Sequence, residues 1–313
     1  MQYYFAPLEG ITDSVYRRLH HKYFPGLDRY YTPFLSPTVH RTLTPKEARE
    51  IPNADTLPYQ AVPQLLTKVP EDFLWMAEQC AQRGYSEVNL NLGCPSGTVT
   101  AKGKGSGMLR DPDSLDRFLE GIFSAVPVVI SVKTRIGFTS AEEFPALLEI
   151  YNRYPIKELT IHPRVRSVFY GGSVDMQAFA YAAENAKMPI CYNGDLLSLS
   201  QIETVQAQFP SVNAVMVGRG LIADPGMLTG GTQPDRLLSF CDELLEIYTK
   251  EFGGPRNAMF RMKEHWRHLM CKFETTEKLQ KQLRKTTDIQ QFKDITHRII
   301  KECPVRSTVL PGW

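Results

Sequence analysis

The feature that most constrains this chain is a regular alternation of short apolar runs with longer helix-like segments across residues 1–234. Eight runs have the length and β-branched content of buried strands, namely Tyr3–Ala6, Arg29–Thr32, Tyr59–Val62, Glu87–Leu90, Val128–Lys133, Glu158–His162, Ile190–Asn193 and Ala214–Gly218. Helical patterns lie between them, at Asp13–His21, Pro70–Arg83, Asp113–Ala125, Ala141–Tyr154, Met176–Asn185 and Leu199–Phe209. Because strands that alternate with helices pair in parallel, the pattern predicts an α/β fold, a TIM (β/α)8 barrel.

The strand pattern stops at the glycine- and proline-rich segment Gly230–Pro234. Only helical patterns follow, at about Arg236–Phe252, Asn257–Cys271, Thr276–Lys285 and Ile289–Glu302. A barrel of this type occupies roughly 250 residues, so a chain of 313 residues has room for a small appendage. We expect a catalytic barrel domain over residues 1–234 and an all-α helical domain over residues 235–313.

Charge is unevenly distributed between these two segments. The whole chain has a net charge of only +2, but residues 235–313 contain 15 Lys and Arg against 11 Asp and Glu. A basic helical segment can contact the phosphates of a nucleic acid. The alternative is a lysine-rich surface that is simply solvated, and charge alone does not decide between the two.

The N-terminal stretch Met1–Pro7 lacks the basic and apolar regions of a signal peptide, and no run of about 18 apolar residues occurs in the sequence. We expect a cytoplasmic protein that does not enter the membrane, and for the oligomeric state we expect a monomer. The six cysteines are scattered without the spacing of a disulfide framework or a zinc site. We therefore expect no metal.

Two glycine-containing segments follow the seventh and eighth predicted strands, Asn193-Gly194-Asp195 and Gly218-Arg219-Gly220. In barrels of this type, the loops after these two strands frequently bind a phosphate. Glycine lets backbone N–H groups approach an anion, and Arg219 can donate two parallel hydrogen bonds to phosphate oxygens. The alternative is that the glycines only form tight turns between strand and helix.

The most specific segment runs from Asn89 to Ser96 and includes Gly93-Cys94-Pro95. Cys94 follows a predicted strand, in a glycine-rich loop that also carries Lys102 and Lys104. A free thiol has a pKa of roughly 8.5 and is mostly protonated near neutral pH, so it can donate a proton as well as attack an electrophile. The sequence places Cys94 where a barrel carries its chemistry.

Cationic side chains follow the fifth and sixth predicted strands. Lys133 ends an apolar strand, so its ammonium is expected at the barrel mouth, where it can form a Schiff base or stabilise negative charge on a reduced flavin. His162, Arg164 and Arg166 can hold a ribityl chain, a phosphate or an RNA backbone. A purely structural histidine at a strand end is the alternative for His162.

In order and spacing, these motifs resemble those of the tRNA-dihydrouridine synthases. The resemblance rests on Ala6-Pro7-Leu8-Glu9-Gly10, Asn89–Ser96, Lys133, His162 and the two glycine segments, and it covers nearly all of residues 1–310. It implies a TIM barrel that binds FMN, followed by a helical domain that binds tRNA. The chain departs from the family's usual His-Gly-Arg-Thr-Arg motif at Pro163 and Val165.

The resemblance also implies roles for individual residues. The residues expected to contact the isoalloxazine ring or the ribityl chain are Pro7, Leu8, Glu9, Gln64, Lys133 and His162. Those expected around the ribityl phosphate are Asn193, Gly194, Asp195, Gly218 and Arg219. Asn91, Arg164 and Arg166 are expected to bind the substrate, and Cys94 is expected to be the catalytic acid.

The implied reaction is reduction of the C5–C6 bond of a uridine in tRNA, with a hydride from reduced FMN and a proton from Cys94. NADPH or NADH would then reduce the flavin again. Basic residues predicted to contact tRNA phosphates are Arg256, Arg261, Lys263, Arg267, Lys278, Lys281, Arg284 and Lys285. The alternatives are an FMN-dependent reductase of small pyrimidines or enes, and an RNA-binding barrel without catalysis.

Overall fold

A single parallel sheet forms the centre of the computed structural model, which describes residues 1–312; Trp313 lies outside the described residues. Within residues 1–312 the sheet has nine strands: β1 Gln2–Phe5, β2 Arg29–Tyr31, β3 Ala61–Val62, β4 Gln64–Leu65, β5 Glu87–Leu92, β6 Val129–Arg135, β7 Leu159–His162, β8 Ile190–Tyr192 and β9 Ala214–Val217. Their order in space is β3-β2-β1-β9-β8-β7-β6-β5-β4. Since β3 and β4 are neighbours in the sequence, the two ends of this order meet and the sheet is a nearly closed barrel.

The division between β3 and β4 lies at Pro63. Proline has no backbone N–H and cannot continue a ladder of hydrogen bonds. The residues before it pair with β2, with Val62 opposite Tyr31. The residues after it pair with β5, with Gln64 opposite Asn89. The nine short strands are thus the eight strands of the predicted barrel, and the predicted fold class is confirmed.

Thirteen α-helices lie within the described residues, and the predicted helices are among them. Those between the strands are α1 Ser14–Tyr23, α2 Pro45–Glu50, α3 Pro70–Ala81, α4 Gly97–Thr100, α5 Pro112–Phe123, α6 Phe144–Tyr151, α7 Met176–Asn185, α8 Leu199–Gln208 and α9 Arg219–Ala223. Those after the last strand are α10 Pro234–Glu251, α11 Pro255–Leu269, α12 Glu277–Lys285 and α13 Ile289–Glu302. In the part of the chain described, no helix is both long and apolar enough to cross a membrane.

Helix α2 was not predicted, although its start carries a recognisable signal. Thr44 accepts a hydrogen bond from the backbone N–H of Glu47, and the Glu47 carboxylate accepts one from the backbone N–H of Thr44. This reciprocal pair is the capping box, and Pro45 occupies the first position of the helix, where it is favoured. The proline- and threonine-rich residues before it obscured the signal.

The strands are buried on both faces, as a parallel sheet covered by helices requires. All residues of β5, β7 and β9 are buried. A cluster of buried side chains fills part of the barrel interior, formed by Tyr4, Ala6, Tyr31, Val62, Cys191, Ala214 and Met216. This filled interior leaves the strand ends and the loops after them as the surface available for chemistry.

The chain divides into two compact units. The first comprises residues 1–9, 28–194 and 204–216, and it contains the sheet up to Met216. The second comprises residues 10–27, 195–203 and 217–313. In the second unit, Tyr16 of α1 packs edge-on against Phe240 of α10 and stacks on His265 of α11 at 4.8 Å between ring centroids. The boundary between residues 234 and 235 stays a prediction, since compactness alone does not identify an independently folding domain.

A buried ion pair joins two segments of the second unit. Lys272 Nζ lies 2.6 Å from Asp224 Oδ2, and both side chains are less than 10% exposed, at 7% and 6%. The other carboxylate oxygen, Asp224 Oδ1, accepts hydrogen bonds from the backbone N–H and the hydroxyl of Thr232. Each charge is therefore compensated only as long as its partner is present.

We expect Asp224→Ala to lower the free energy of unfolding by about 3–5 kcal/mol, because it leaves the Lys272 ammonium buried without its carboxylate. Glu246→Ala is the matched control, since Glu246 and Lys250 form an exposed ion pair whose loss costs less than about 1 kcal/mol. Urea denaturation followed by circular dichroism measures both. Equal, small losses of unfolding free energy in the two variants would contradict the claim that Asp224 and Lys272 form a buried ion pair.

Candidate active site

Polar side chains meet at the carboxyl ends of β4 to β7. Asn91 of β5 pairs in register with Lys133 of β6, and Arg135 of β6 pairs with His162 of β7. Alternate residues of a strand face the same side, so Lys133 and Arg135 share one face. The predicted strand Val128–Lys133 ends two residues before β6 does, and Arg135, which follows it, was given no role among the predicted site residues.

A directed chain of amide hydrogen bonds leads to the cysteine loop. Asn89 donates from Nδ2 to Ser131 Oγ over 3.0 Å, and Gln64 donates from Nε2 to Asn89 Oδ1 over 2.8 Å. Asn91 in turn donates from Nδ2 to Gln64 Oε1 over 2.7 Å. Asn91 Oδ1 then accepts the backbone N–H groups of Gly93, at 3.1 Å, and Cys94, at 2.9 Å. We call this chain, from Ser131 through Asn89, Gln64 and Asn91 to Cys94, the amide relay.

Cys94 carries a free, partly buried thiol at the end of the relay. Its carbonyl oxygen accepts hydrogen bonds from the backbone N–H and the hydroxyl of Ser106, which fix the loop from the other side. Gly105 has a φ of +57°, and a side chain there would lie 3.0 Å from Cys94 Cβ. Burial raises the pKa of the Cys94 thiol above its usual range, so the group is protonated at neutral pH.

Lys133 is half-buried at the end of β6, and no hydrogen bond or ion pair of its ammonium is found among residues 1–312. Burial, reinforced by the positive charge of Arg135, lowers the pKa of Lys133 to about 8. An ammonium in such a place is costly unless a ligand provides an acceptor. The residue is thus suited to a bound group with a polar or anionic edge.

Arg135 connects the cysteine loop to the loop after β7. Its Nε donates to the carbonyl oxygen of Gly93 over 2.9 Å, and its Nη1 donates to that of Val165 over 3.1 Å. Burial lowers the pKa of Arg135 to about 10, so the guanidinium stays charged at neutral pH. It also lies 5.3 Å from the centre of the Tyr170 ring. Arg135 therefore adds a fixed positive charge beside Cys94.

His162 and Arg164 are both buried at the end of β7. Arg164 Nη1 lies 3.2 Å from His162 Nε2, and because arginine only donates, Nε2 is the acceptor and the imidazole is neutral. Arg164 Nε also donates to the carbonyl of Gly171. The structure thus gives Arg164 a role in holding its own loop, and its contact with substrate stays a prediction.

Arg166 is anchored to the cysteine loop. Its Nε donates to the carbonyl oxygen of Pro95 over 3.2 Å, and its Nη2 donates to Thr100 Oγ1 over 3.1 Å. Asn91, the other residue predicted to bind substrate, already uses its carbonyl oxygen and one N–H in the amide relay. Direct contacts of Arg166 and Asn91 with substrate stay predictions.

The segments predicted to bind a phosphate are each stabilised locally. Asn193 Nδ2 donates to the carbonyl oxygen of Met216 over 2.7 Å. Arg219 Nη2 lies 3.0 Å from Asp195 Oδ1, so the predicted phosphate donor has a carboxylate partner. Gly220 is required by packing, because a side chain there would lie 2.1 Å from the carbonyl oxygen of Leu196. Phosphate binding by Asn193, Gly194, Asp195, Gly218 and Arg219 stays a prediction.

The loop after β1 carries the remaining predicted residues. Leu8 packs against the cluster inside the barrel, and Pro7 beside it is half-buried. Glu9 is exposed and forms an ion pair with Lys46 at 2.7 Å. Among residues 1–312, no group of three or more His, Cys, Asp or Glu side chains is arranged to hold a metal ion.

The family model "Dihydrouridine synthase (Dus)" matches residues 4–303, which is nearly the whole chain. The chain belongs to the dihydrouridine synthase family. The resemblance inferred from the sequence motifs is therefore confirmed.

Curated members of the dihydrouridine synthase family align with most of this chain. A probable tRNA-dihydrouridine synthase 1 from Synechocystis sp. is 28% identical over 94% of this chain and 85% of its own length. The tRNA-dihydrouridine(16) synthase of Shigella flexneri is 29% identical over 72% of this chain and 74% of its own. Among solved structures, the old yellow enzyme homologue from Zymomonas mobilis superimposes with a TM-score of 0.53 at 10% identity, over 76% of this chain and 88% of that one. At this identity, the likeness concerns the fold alone.

The lowered pKa of Lys133 leads to a prediction for the ligand-free protein. Between about pH 8 and the ordinary lysine pKa near 10.4, the unfolded chain binds a proton at this lysine that the folded chain does not, so stability rises with pH. Lys133→Met should remove this dependence of stability on pH. The variant should gain free energy of unfolding relative to the natural protein below pH 8, and the gain should vanish above about pH 10.4.

Urea denaturation at several pH values measures this gain. Lys250→Met is the control, because Lys250 is exposed and its replacement should produce no comparable change with pH. If Lys133→Met were less stable than the natural protein at pH 7, the claim that the Lys133 ammonium lacks a stabilising partner would be wrong.

Proposed function

We propose that this chain is a flavin-dependent synthase that reduces one uridine of a tRNA to 5,6-dihydrouridine. The observation that carries the proposal is the placement of a protonated thiol, Cys94, in the loop directly after β5, while Lys133, whose ammonium has no acceptor among residues 1–312, lies at the end of the neighbouring strand β6. Membership of the dihydrouridine synthase family supports the substrate, and the curated relatives are named for tRNA.

The residues present fit FMN as the cofactor. Lys133 would offer its ammonium to the electron-rich pyrimidine edge of an isoalloxazine ring, and neutral His162 would offer a hydrogen-bonding imidazole. The phosphate is assigned to Arg219, which has donors for an anion. When bound, reduced FMN supplies the hydride that adds to C6 of uracil, with NADPH or NADH as the source of electrons.

The proton for C5 is assigned to Cys94. Addition of a hydride at C6 leaves negative charge on the uracil, and transfer of the thiol proton to C5 neutralises it and completes the saturated bond. The thiolate that remains lies near the positive charges of Arg135 and Lys133, which both favour it electrostatically. Water then returns the proton to sulfur, and the cysteine is ready for another cycle.

The second compact unit carries the basic side chains proposed to hold tRNA. Two of the eight predicted residues are committed to internal contacts: Arg261 pairs with Asp13, and Lys263 donates to the backbone carbonyl of Arg284. The other six are exposed: Arg256, Arg267, Lys278, Lys281, Arg284 and Lys285. Four of these lie on α12, whose leucines are buried, so its basic face is open to a phosphate backbone.

Removal of residues 235–313 is a poor test of this assignment. It would take away Phe240 and His265, which contact Tyr16 of α1 within the same unit. Loss of activity would then report unfolding as readily as loss of tRNA. A point substitution at Cys94 removes none of these contacts and tests the catalytic step directly.

We expect Cys94→Ala to retain bound FMN and to lose most turnover, by roughly 10²- to 10⁴-fold, because a positioned acid contributes about that factor. Flavin absorbance measures the first quantity, and mass spectrometry of nucleosides from an unmodified tRNA measures the second. Cys303→Ala is the control, since Cys303 also carries a free, partly exposed thiol and should leave both unchanged.

Near-normal formation of dihydrouridine by Cys94→Ala would refute the assignment of the acid. Normal reduction of a free pyrimidine or ene by the natural protein, together with no reaction on tRNA, would favour a small-molecule reductase. A natural protein that binds tRNA but no flavin would favour an RNA-binding barrel without catalysis.

A further inference from the structure

The ring of Phe169 is exposed beside the candidate active site. Phe169 follows a short 3₁₀ turn, Arg166–Val168. Its backbone has φ 52° and ψ −100°, a combination that residues other than glycine rarely adopt. The side chain is 44% exposed, and the flanking Val168 and Tyr170 are exposed as well. Strained residues persist where their surroundings hold them, and they cluster at ligand-binding sites.

The surrounding loop holds the Phe169 backbone firmly. Its N–H donates to the carbonyl oxygen of Arg166 over 3.0 Å, and the N–H of Gly171 donates to that of Val168 over 2.8 Å. Buried Arg164 donates from Nε to the Gly171 carbonyl over 3.1 Å. The loop therefore holds the Phe169 backbone so that the ring lies outside the core.

Arginines and aromatic rings alternate next to Phe169. The guanidinium of Arg166 lies 4.8 Å from the centre of the Phe169 ring and 5.1 Å from that of Phe138. The guanidinium of Arg110 lies 4.0 Å from the Phe138 ring. Arg166 also donates to the carbonyl of Pro95, the residue after Cys94. We call Phe169, Arg166, Phe138 and Arg110 the stacking platform.

We propose that the stacking platform binds an unpaired base of the tRNA that flanks the target uridine, with the ring of Phe169 as the stacking surface. This inference rests on the proposed function, since it assumes that the target uridine is extruded from its stack. Unstacked bases of single-stranded RNA bind to aromatic rings and guanidinium planes. The positive charges of Arg110 and Arg166 suit the phosphates on either side of such a base.

A nucleotide strand fits this surface better than a single small ligand. Three consecutive exposed side chains, Val168 to Tyr170, extend the apolar surface to both sides of the Phe169 ring. Lys102, in the glycine-rich loop after Cys94, adds an exposed charge for a phosphate backbone. The adenine of a dinucleotide is the competing occupant, and the test distinguishes the two.

The experiment compares Phe169→Ala, Phe169→Gly and Phe169→Tyr in the flavin-loaded full-length enzyme. We expect kcat/KM for an unmodified tRNA to fall roughly 5- to 100-fold in the alanine and glycine variants, as for loss of one stacked base, and to stay near normal in the tyrosine variant. The rate of flavin reduction by NADPH should not change in any of them. Tyr181→Ala, which removes an exposed ring from α7, is the control and should behave as the natural protein.

Three outcomes would overturn the inference. Normal kcat/KM for tRNA in Phe169→Ala would show that the ring binds no base. If kcat/KM fell in Phe169→Ala but stayed normal in Phe169→Gly, the loss in the alanine variant would come from backbone strain and not from the missing ring, because glycine tolerates a positive φ. Slower flavin reduction by NADPH would assign the ring to the dinucleotide. If the natural enzyme formed no dihydrouridine at all, the proposed function would fail together with this inference.

Discussion

The amide relay is the interaction on which the candidate site depends. It joins three strands, β4, β5 and β6, through side chains that each use a donor in one direction and an acceptor in the other. Its last amide side chain, Asn91, accepts two backbone N–H groups and so fixes the turn that carries Cys94. A fully satisfied network of buried amides is rigid, and loss of one member leaves its neighbours unsatisfied. The position of the thiol is thus set by the barrel itself.

Burial at the barrel mouth also shifts the pKa values of the two central groups, Cys94 and Lys133. Burial raises the pKa of the Cys94 thiol and lowers that of the Lys133 ammonium to about 8, so both groups are displaced toward their neutral forms. A neutral thiol can donate a proton, and Arg135 beside it favours the thiolate that donation leaves. The site therefore combines an acid with fixed positive charge, which suits a reaction in which negative charge develops on a pyrimidine.

Much of this arrangement could be predicted from the sequence. Alternating strands and helices identified the barrel, and the rule that chemistry lies at strand ends identified Cys94 and Lys133. What could not be predicted depends on side-chain partners. Gln64 and Asn91 were expected to contact cofactor and substrate, but the relay between them is visible only in three dimensions. Arg135 was expected at a strand end, but its hydrogen bonds to the carbonyl oxygens of Gly93 and Val165 are also visible only in three dimensions. The contacts that occupy Arg261 and Lys263 cannot be read from charge.

The most direct test of the account is an anaerobic titration of the purified protein followed by visible absorbance. The account predicts a flavin band that NADPH bleaches and that an unmodified tRNA restores, with one uridine in that tRNA gaining two hydrogen atoms. A tRNA already modified at that uridine should restore nothing. A protein that showed no flavin band and took up no FMN, or a reduced flavin that unmodified tRNA left bleached, would contradict it.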